Sequence, residues 1–249
     1  MAVPQGEQGA PPVSGSETHR PRLWQRLKGA VADGDSLRGW TIDANDGIIA
    51  TAGLLQGFGG AGADDRVLLL AATAATIAGG LSIGGAKWAE AAGERDAQLR
   101  AAEEERAELE RDLSGEIVEL AAHWEARGLS PATARIVAEE LTEHDALAAQ
   151  LEAEYGIDEI LTAAAPVWTG VSAAIAFMVG AGIPLLITWL VPVTIETTAI
   201  VAAVVISLGV TSMLAARVGR LRLGRVLTRT LVVGLGTMAV SYGAGLLFF

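Results

Sequence analysis

The chain has 249 residues, 51% of them hydrophobic, a mean hydropathy of +0.40, and 18 Lys and Arg against 29 Asp and Glu, for a net charge of −11. So acidic a chain lacks the basic footprint of a nucleic-acid binder, and the absence of cysteine excludes disulfide scaffolds and thiolate metal sites. Charge and hydropathy are segregated: residues 101–161 hold 17 acidic and 4 basic residues, a net of −13, so everything outside that segment is slightly basic.

Residues 1–37 are rich in Pro, Gly and polar side chains, lack the apolar core of a signal peptide, and read as a disordered tail. Two spans are expected over 38–89. The first, Trp40–Ala63, opens with Asp43, Asn45 and Asp46 before turning apolar; the second, Val67–Ala86, has no charge. An apolar run of about 20 residues crosses roughly 30 Å of hydrocarbon as a helix, and Gly79, Gly80, Gly84 and Gly85 let neighbouring helices approach closely.

Residues 90–161 read as a helical domain. The second span is expected to run on into an acidic helix that stops at Gly128. Ser130 as N-cap and Pro131 at the first helical position open another helix, which reaches about Glu154 and ends at Gly156. Three further spans fill 162–249: Ala163–Leu190, Val193–Ala216 with Glu196 at its outer interface, and Thr230–Phe249. Packed as a soluble protein, five such runs would expose too much apolar surface. The fold class is an all-α integral membrane protein of five transmembrane helices.

Basic residues set the orientation. Arg20, Arg22, Arg26, Lys28 and Arg38 flank the first span, and Arg217, Arg220, Arg222, Arg225 and Arg229 lie between the fourth and fifth. The other two short connections hold Arg66 alone. This places the N-terminus and the acidic domain in the cytoplasm, and the Ala and Gly content is compatible with a bacterial plasma membrane.

At about 100° per residue, Glu105, Glu108, Asp112, Glu116 and Glu119 share roughly 80° of arc on one continuous helix, bordering the Leu109, Leu113 and Leu120 face. Like charges at this spacing repel, so the stripe is either a solvated face, the reading this helix alone favours, or a cation site. Carboxylate ligands suit Mg, Ca, Mn or ferrous iron rather than soft copper. Glu139, Glu140, Glu143, His144, Asp145, Glu152 and Glu154 offer further partners, whereas His144 reads as a surface or capping residue and His123 ranks lower still. Asp46 reads equally as an interfacial helix cap or as an intramembrane functional group. Gln56 and Ser82 either line a path or bond across helices.

The segments ANDGIIATAGLLQGFGGAG (44–62), GGLSIGGAKWAEAAGERD (79–96) and AAIAFMVGAGIPLL (173–186), with an acidic insert between the last two, resemble the vacuolar iron transporter family in order and spacing. The resemblance covers about residues 38–249. It implies a homodimer of five-span subunits that moves Fe2+, and sometimes Mn2+, out of the cytosol in exchange for protons. It places Asp46 on the translocation path; Asp43, Asn45 and Ser82 are the further candidates for that path read from the polar residues of the first two spans. It makes Glu105, Glu108, Glu116 and Glu119, two Glu-x-x-Glu pairs, metal ligands, together with Glu154. Three departures stand out: Ile83 where the family has Met, Lys87 where it has Glu, and Gln150 and Leu151 where paired Met residues are usual. The partners implied are divalent cations, the lipid bilayer and a second subunit; the metal is cargo, and no resident cofactor is implied. A membrane-anchored metal-binding or sensing protein is the alternative. An enzyme is disfavoured, since no nucleophile-base pair, phosphate loop or redox motif is present.

Overall fold

The computed structural model describes residues 34–191 and 193–248; the expected N-terminal tail, with Arg20, Arg22, Arg26 and Lys28, lies outside them. Among the described residues the chain is all helix, with no strand. The helices are α1 (Gly34–Gly60), α2 (Asp65–Ala126), α3 (Pro131–Gln150), a π-helical turn (Leu151–Tyr155), α4 (Ala165–Leu190), α5 (Val193–Val218) and α6 (Leu223–Phe248).

Four of these, α2, α4, α5 and α6, are long and apolar enough to cross a membrane. The first half of α1 carries Arg38, Asp43 and Asp46, and by composition it falls short of the other four. The bundle is nevertheless built around α1: Ile48, Ala52 and Leu55 form one core with Leu68 and Ala72 of α2, Ile200, Val204 and Leu208 of α5, and Met238 of α6. Large apolar side chains such as Leu70, Leu81, Trp189, Val240 and Leu247 point outward. Small residues inside and large aliphatics outside suit a hydrocarbon solvent, where burial between helices comes from close packing rather than from excluding water.

That close packing is sharpest where α4 meets α1 and α2. Gly47 backs onto the Phe177 carbonyl and Gly180 onto the Ala44 carbonyl, so a Cβ at either position would overlap backbone. Phe177, itself buried, lies across Gly79 of α2.

Asp64 starts α2 by accepting from the backbone N–H groups of Arg66 and Val67, both at 3.0 Å, and the helix continues for 62 residues, well beyond the length of one span. Its distal half carries the acidic insert. Ser130 caps α3, with Pro131 in its first turn, as its sequence signature requires. The expected end of that helix is corrected: α3 stops at Gln150, and the next five residues form the π-helical turn, closed by Gly156 at φ 66°, a left-handed conformation that favours glycine. Two small cores hold the insert against α2: Ala101 and Ala102 with Leu151, and Leu120 and Ala121 with Ala138. The return to α4 is pinned by the Leu161 N–H donating to Gln98 Oε1 at 2.8 Å and by Arg95 Nε donating to the Leu161 carbonyl at 3.0 Å.

Candidate metal centre

The continuous acidic stripe expected from a uniform helix is broken at its middle. Asp112 is non-helical, at φ −149° and ψ 72°. Its carboxylate reaches forward along the chain to accept from Ser114 Oγ at 2.7 Å and from the Gly115 N–H at 3.0 Å, an N-cap for the second half of α2. Those bonds hold its carboxyl below the usual carboxylate range, and it is fully exposed. A short side chain that can bond to its own backbone competes with the helix ladder, and here it wins. The cap makes Asp112 structural and resets the phase of everything that follows.

After the reset, Glu105, Glu108 and Glu116 converge, each offering an oxygen within 4.8 Å of the others. Glu105 is 0% exposed, and neither of its oxygens meets a hydrogen-bond donor. It sits between the two cores of the insert, one turn beyond Ala101, so the packing that buries those alanines buries the carboxylate too. Its neighbours are the carboxylates of Glu116, Glu154 and Glu108. Burial first, then those charges, push the Glu105 carboxyl up to about 7. Glu116 is also raised, by burial and by Glu119, Glu108 and Glu154.

Carboxylates in contact can bond to one another only through a shared proton or a common cation. A fully buried carboxylate with no donor distinguishes this cluster from a solvated acidic face, which leaves its oxygens in water. Its all-oxygen donor set fits a hard or borderline divalent cation.

Glu119 and Glu154 are exposed and stand outside the converged triad. They border it across a cavity of about 220 Å³ lined also by Leu120, His123, Gln150 and Ala153. Gln150, 5% exposed, donates to the Glu116 carbonyl at 2.8 Å and to its Oε2 at 3.1 Å, so its amide holds one carboxylate of the cluster in position. The other acids of the insert go elsewhere. Glu139 takes Arg135 Nε at 2.9 Å, Asp145 caps a second helix break by accepting from the Ala148 N–H at 3.0 Å, and Glu140, Glu143, His144 and Glu152 are exposed.

The polar residues of α1 separate by face. Asp43 is 8% exposed, whereas Asp46 is exposed, as is Ser82 of α2. Asn45 accepts from Thr211 Oγ1 of α5 at 2.6 Å, a partner 166 residues away with no local sequence signal. Gln56 is buried. Lys87 pairs with Glu90 at 2.8 Å on an exposed surface, where such a pair adds little stability.

A sequence model of the VIT family matches residues 37–246. Over 168 residues the chain is 32% identical to a vacuolar iron transporter of Acanthamoeba castellanii (strain ATCC 30010 / Neff), a match spanning 68% of this chain and 61% of that protein. Over 213 residues it is 24% identical to vacuolar iron transporter homolog 5 of Oryza sativa subsp. japonica, covering 85% of this chain and 80% of the relative. The chain thus spans about three fifths of the Acanthamoeba relative's length. Members of this family are transporters, not enzymes. With its apolar helices and a match over nearly its whole described length, the chain is a multi-pass membrane protein that belongs to the VIT family.

Proposed function

We propose that the protein exports a divalent cation, Fe2+ and also Mn2+, from the cytosol in exchange for protons. The observation that carries this reading is Glu105, a wholly buried carboxylate without a donor, facing Glu108 and Glu116 in a membrane protein of this family. A cation in that cluster relieves both the repulsion and the unmet hydrogen-bonding capacity. With Glu119 and Glu154 at its border, the site collects metal at the cytoplasmic face, where the basic flanks of the spans place the insert.

Transfer runs along α1, the first of the five spans in this reading. Asp46 binds metal and proton in alternation, since protonation removes the charge that attracts the cation. Asp43, Asn45 and Ser82 line the route. An exposed Asp46 on a bundle otherwise clad in aliphatic side chains is costly against lipid. A second subunit covering this face resolves the cost, which supports a homodimer with the path at its interface. The Ala- and Gly-rich composition fits a bacterial plasma membrane.

The test is Fe2+ and Mn2+ uptake into proteoliposomes under an imposed pH gradient. Wild type accumulates metal, Asp46→Asn does not yet still binds it, and Glu105→Ala with Glu108→Ala lowers the rate at limiting metal. Wild-type vesicles that bind metal but never accumulate it would sink the exporter in favour of a membrane-anchored metal sensor, in which Ile83 and Lys87 mark a closed path.

A further inference from the structure

The turn between α5 and α6 breaks two local rules of helix chemistry at once. α5 ends with the Gly219 N–H donating to the Ala215 carbonyl and the Leu221 N–H to the Ala216 carbonyl, both at 2.9 Å, a closure whose left-handed position falls on Arg220 at φ 49°. Glycine takes that position without steric cost, yet Gly219 stands one residue before it. Among the described residues Arg220 is the one non-glycine with a positive φ. α6 then starts at Arg222, whose carbonyl accepts from the Arg225 and Val226 N–H groups at 3.0 and 3.3 Å, and its first turn carries Arg225 and no acid. Positive charge there opposes the helix dipole, which favours anions. A strained arginine beside misplaced charge persists where something outside the local sequence compensates for both.

Arg217, Arg220, Arg222, Arg225 and Arg229 are all exposed. Among the described residues the ion pairs are made by Lys87, Arg111 and Arg135, and the arginine side chains that donate hydrogen bonds are Arg95, Arg100 and Arg135. None of the five at the turn therefore has a partner there, in a chain with 29 Asp and Glu. α5 and α6 are both long and apolar enough to cross a membrane, and only residues 219–222 separate them, so the turn lies at headgroup level. Arg225 and Arg229, one helical turn apart, can extend to that level as long basic side chains do.

We propose that the α5–α6 turn docks the phosphate groups of anionic membrane phospholipids, its five arginines preferring these to zwitterionic lipids. A guanidinium grips a phosphate through two parallel N–H donors, and the phosphate supplies the negative charge that the first turn of α6 lacks. In a zwitterionic headgroup a cationic amine accompanies the phosphate and opposes the arginines. Basic residues beside membrane spans also set orientation, but lysine serves that task equally and a left-handed arginine is not required for it. The surface is separate from the acidic insert and does not depend on which ion the protein moves.

The experiment incubates the full chain, in detergent micelles, with an equimolar mixture of phosphatidylglycerol and phosphatidylcholine and counts the retained lipids by native mass spectrometry. Wild type is expected to retain phosphatidylglycerol preferentially. A basic residue beside an anionic leaflet is worth roughly fivefold in partitioning, so Arg220→Gln with Arg222→Gln lowers the preference by about that factor or more. Arg100→Gln with Arg106→Gln removes the same charge from exposed positions on α2 and leaves it unchanged. Arg220→Gly relieves the turn, so its melting temperature rises while its preference falls. Equal retention of the two lipids by wild type, as when the acidic insert of a second subunit covers the turn, overturns the inference. So do equal losses in both double variants, which reduce the effect to net charge, and a preference kept in full by Arg220→Gly. Displacement of the lipid by inorganic phosphate overturns it too, since the turn is then a site for a soluble anion.

Discussion

Gln150 and Glu116 are joined twice, the Gln150 amide donating at 2.8 Å to the Glu116 carbonyl and at 3.1 Å to its carboxylate. The pair ties the end of α3 to the second half of α2 across 34 residues of sequence and fixes one member of the triad. Preordering a ligand in this way lowers the entropy spent on binding.

Gln150→Ala therefore weakens Mn2+ binding by roughly tenfold, the low end of what losing a ligand's supporting hydrogen bond costs. It also lowers stability by about 1 kcal/mol. Gln150→Met frees Glu116 as well but brings a thioether to the cavity wall, so it recovers affinity for softer ions and not for Mn2+. Calorimetric titration of the two variants with Mn2+ and Co2+ distinguishes these outcomes; equal losses for both ions in both variants would leave Gln150 a purely structural residue.

The Glu105 carboxyl, raised from 4.5 to about 7 by burial and by its acidic neighbours, gives the metal-free insert a defined pH dependence. A raised carboxyl means that the folded state holds its proton more tightly than the unfolded state. Folding takes up a proton, and the contribution to stability is fully present below about pH 4.5 and lost as pH climbs through about 7. Metal binding runs the other way, because the ion displaces that proton. Affinity for Mn2+ rises with pH up to about 7 and then levels, and titrations near pH 6 release protons, visible as a buffer-dependent enthalpy. Glu105→Gln, neutral at every pH, removes the proton release and flattens the stability profile of the metal-free protein.

Asp112 separates the observed geometry from a continuous acidic stripe. As the cap of the second half of α2, Asp112→Ala costs about 1 kcal/mol of stability and shifts the phase between Glu108 and Glu116. Asp112→Ser, which retains a capping oxygen without the charge, keeps metal affinity within about twofold of wild type, since an N-cap Ser serves nearly as well as Asp. If Asp112 were a ligand, Ser would be as damaging as Ala, a difference that paired thermal melts and metal titrations resolve.

Much of this was legible in the sequence. The charge-free run Val67–Ala86, the Ser130-Pro131 start of α3 and the Gly156 stop each carry a local signal, and the structure places elements there. The pairing of Glu105 and Glu108 with Glu116 followed from spacing and family resemblance. The breaks at Asp112 and Asp145 did not, because a helical wheel assumes one continuous phase, and an Asp within a helix gives no sign of whether it will cap or point outward. The bond between Gln150 and Glu116 had no signal for a related reason: it depends on how the end of α3 meets α2 across 34 residues of sequence, a contact with no period to read. The Asn45 and Thr211 contact spans 166 residues and is set wholly by how α1 and α5 pack.

That contact yields a modest prediction. Thr211 Oγ1 has a single proton, and the Ser207 carbonyl at 3.0 Å competes with Asn45 Oδ1 at 2.6 Å to accept it, so the bond to α1 is made at the expense of one within α5. Interhelical side-chain bonds in membrane proteins average about 0.6 kcal/mol, and a double-mutant cycle of Asn45→Ala and Thr211→Val in detergent should return a coupling of that order. A coupling near zero would mean that Asn45 is held by its neighbours on α1 and not by α5.

The crossing of Gly180 and Ala44 should be far less forgiving. The Cβ of any larger residue at Gly180 falls on the Ala44 carbonyl, and Gly47 meets the Phe177 carbonyl one turn along. α4 must then move away from α1, and the small-residue contacts that substitute for the hydrophobic effect between membrane helices are lost along the whole interface. Gly180→Ala is expected to destabilise by about 1–3 kcal/mol, the range for overpacking a tight core, and Gly180→Leu to prevent assembly of the bundle. Because Asp43 and Asp46 flank Ala44 on the same helix, a Gly180→Ala protein that still folds should lose transport before it loses metal binding at the distant insert. Thermal unfolding, metal titration and vesicle uptake on that one variant measure the three effects separately; transport retained at full rate would show that the α1 and α4 crossing does not set the geometry around Asp46.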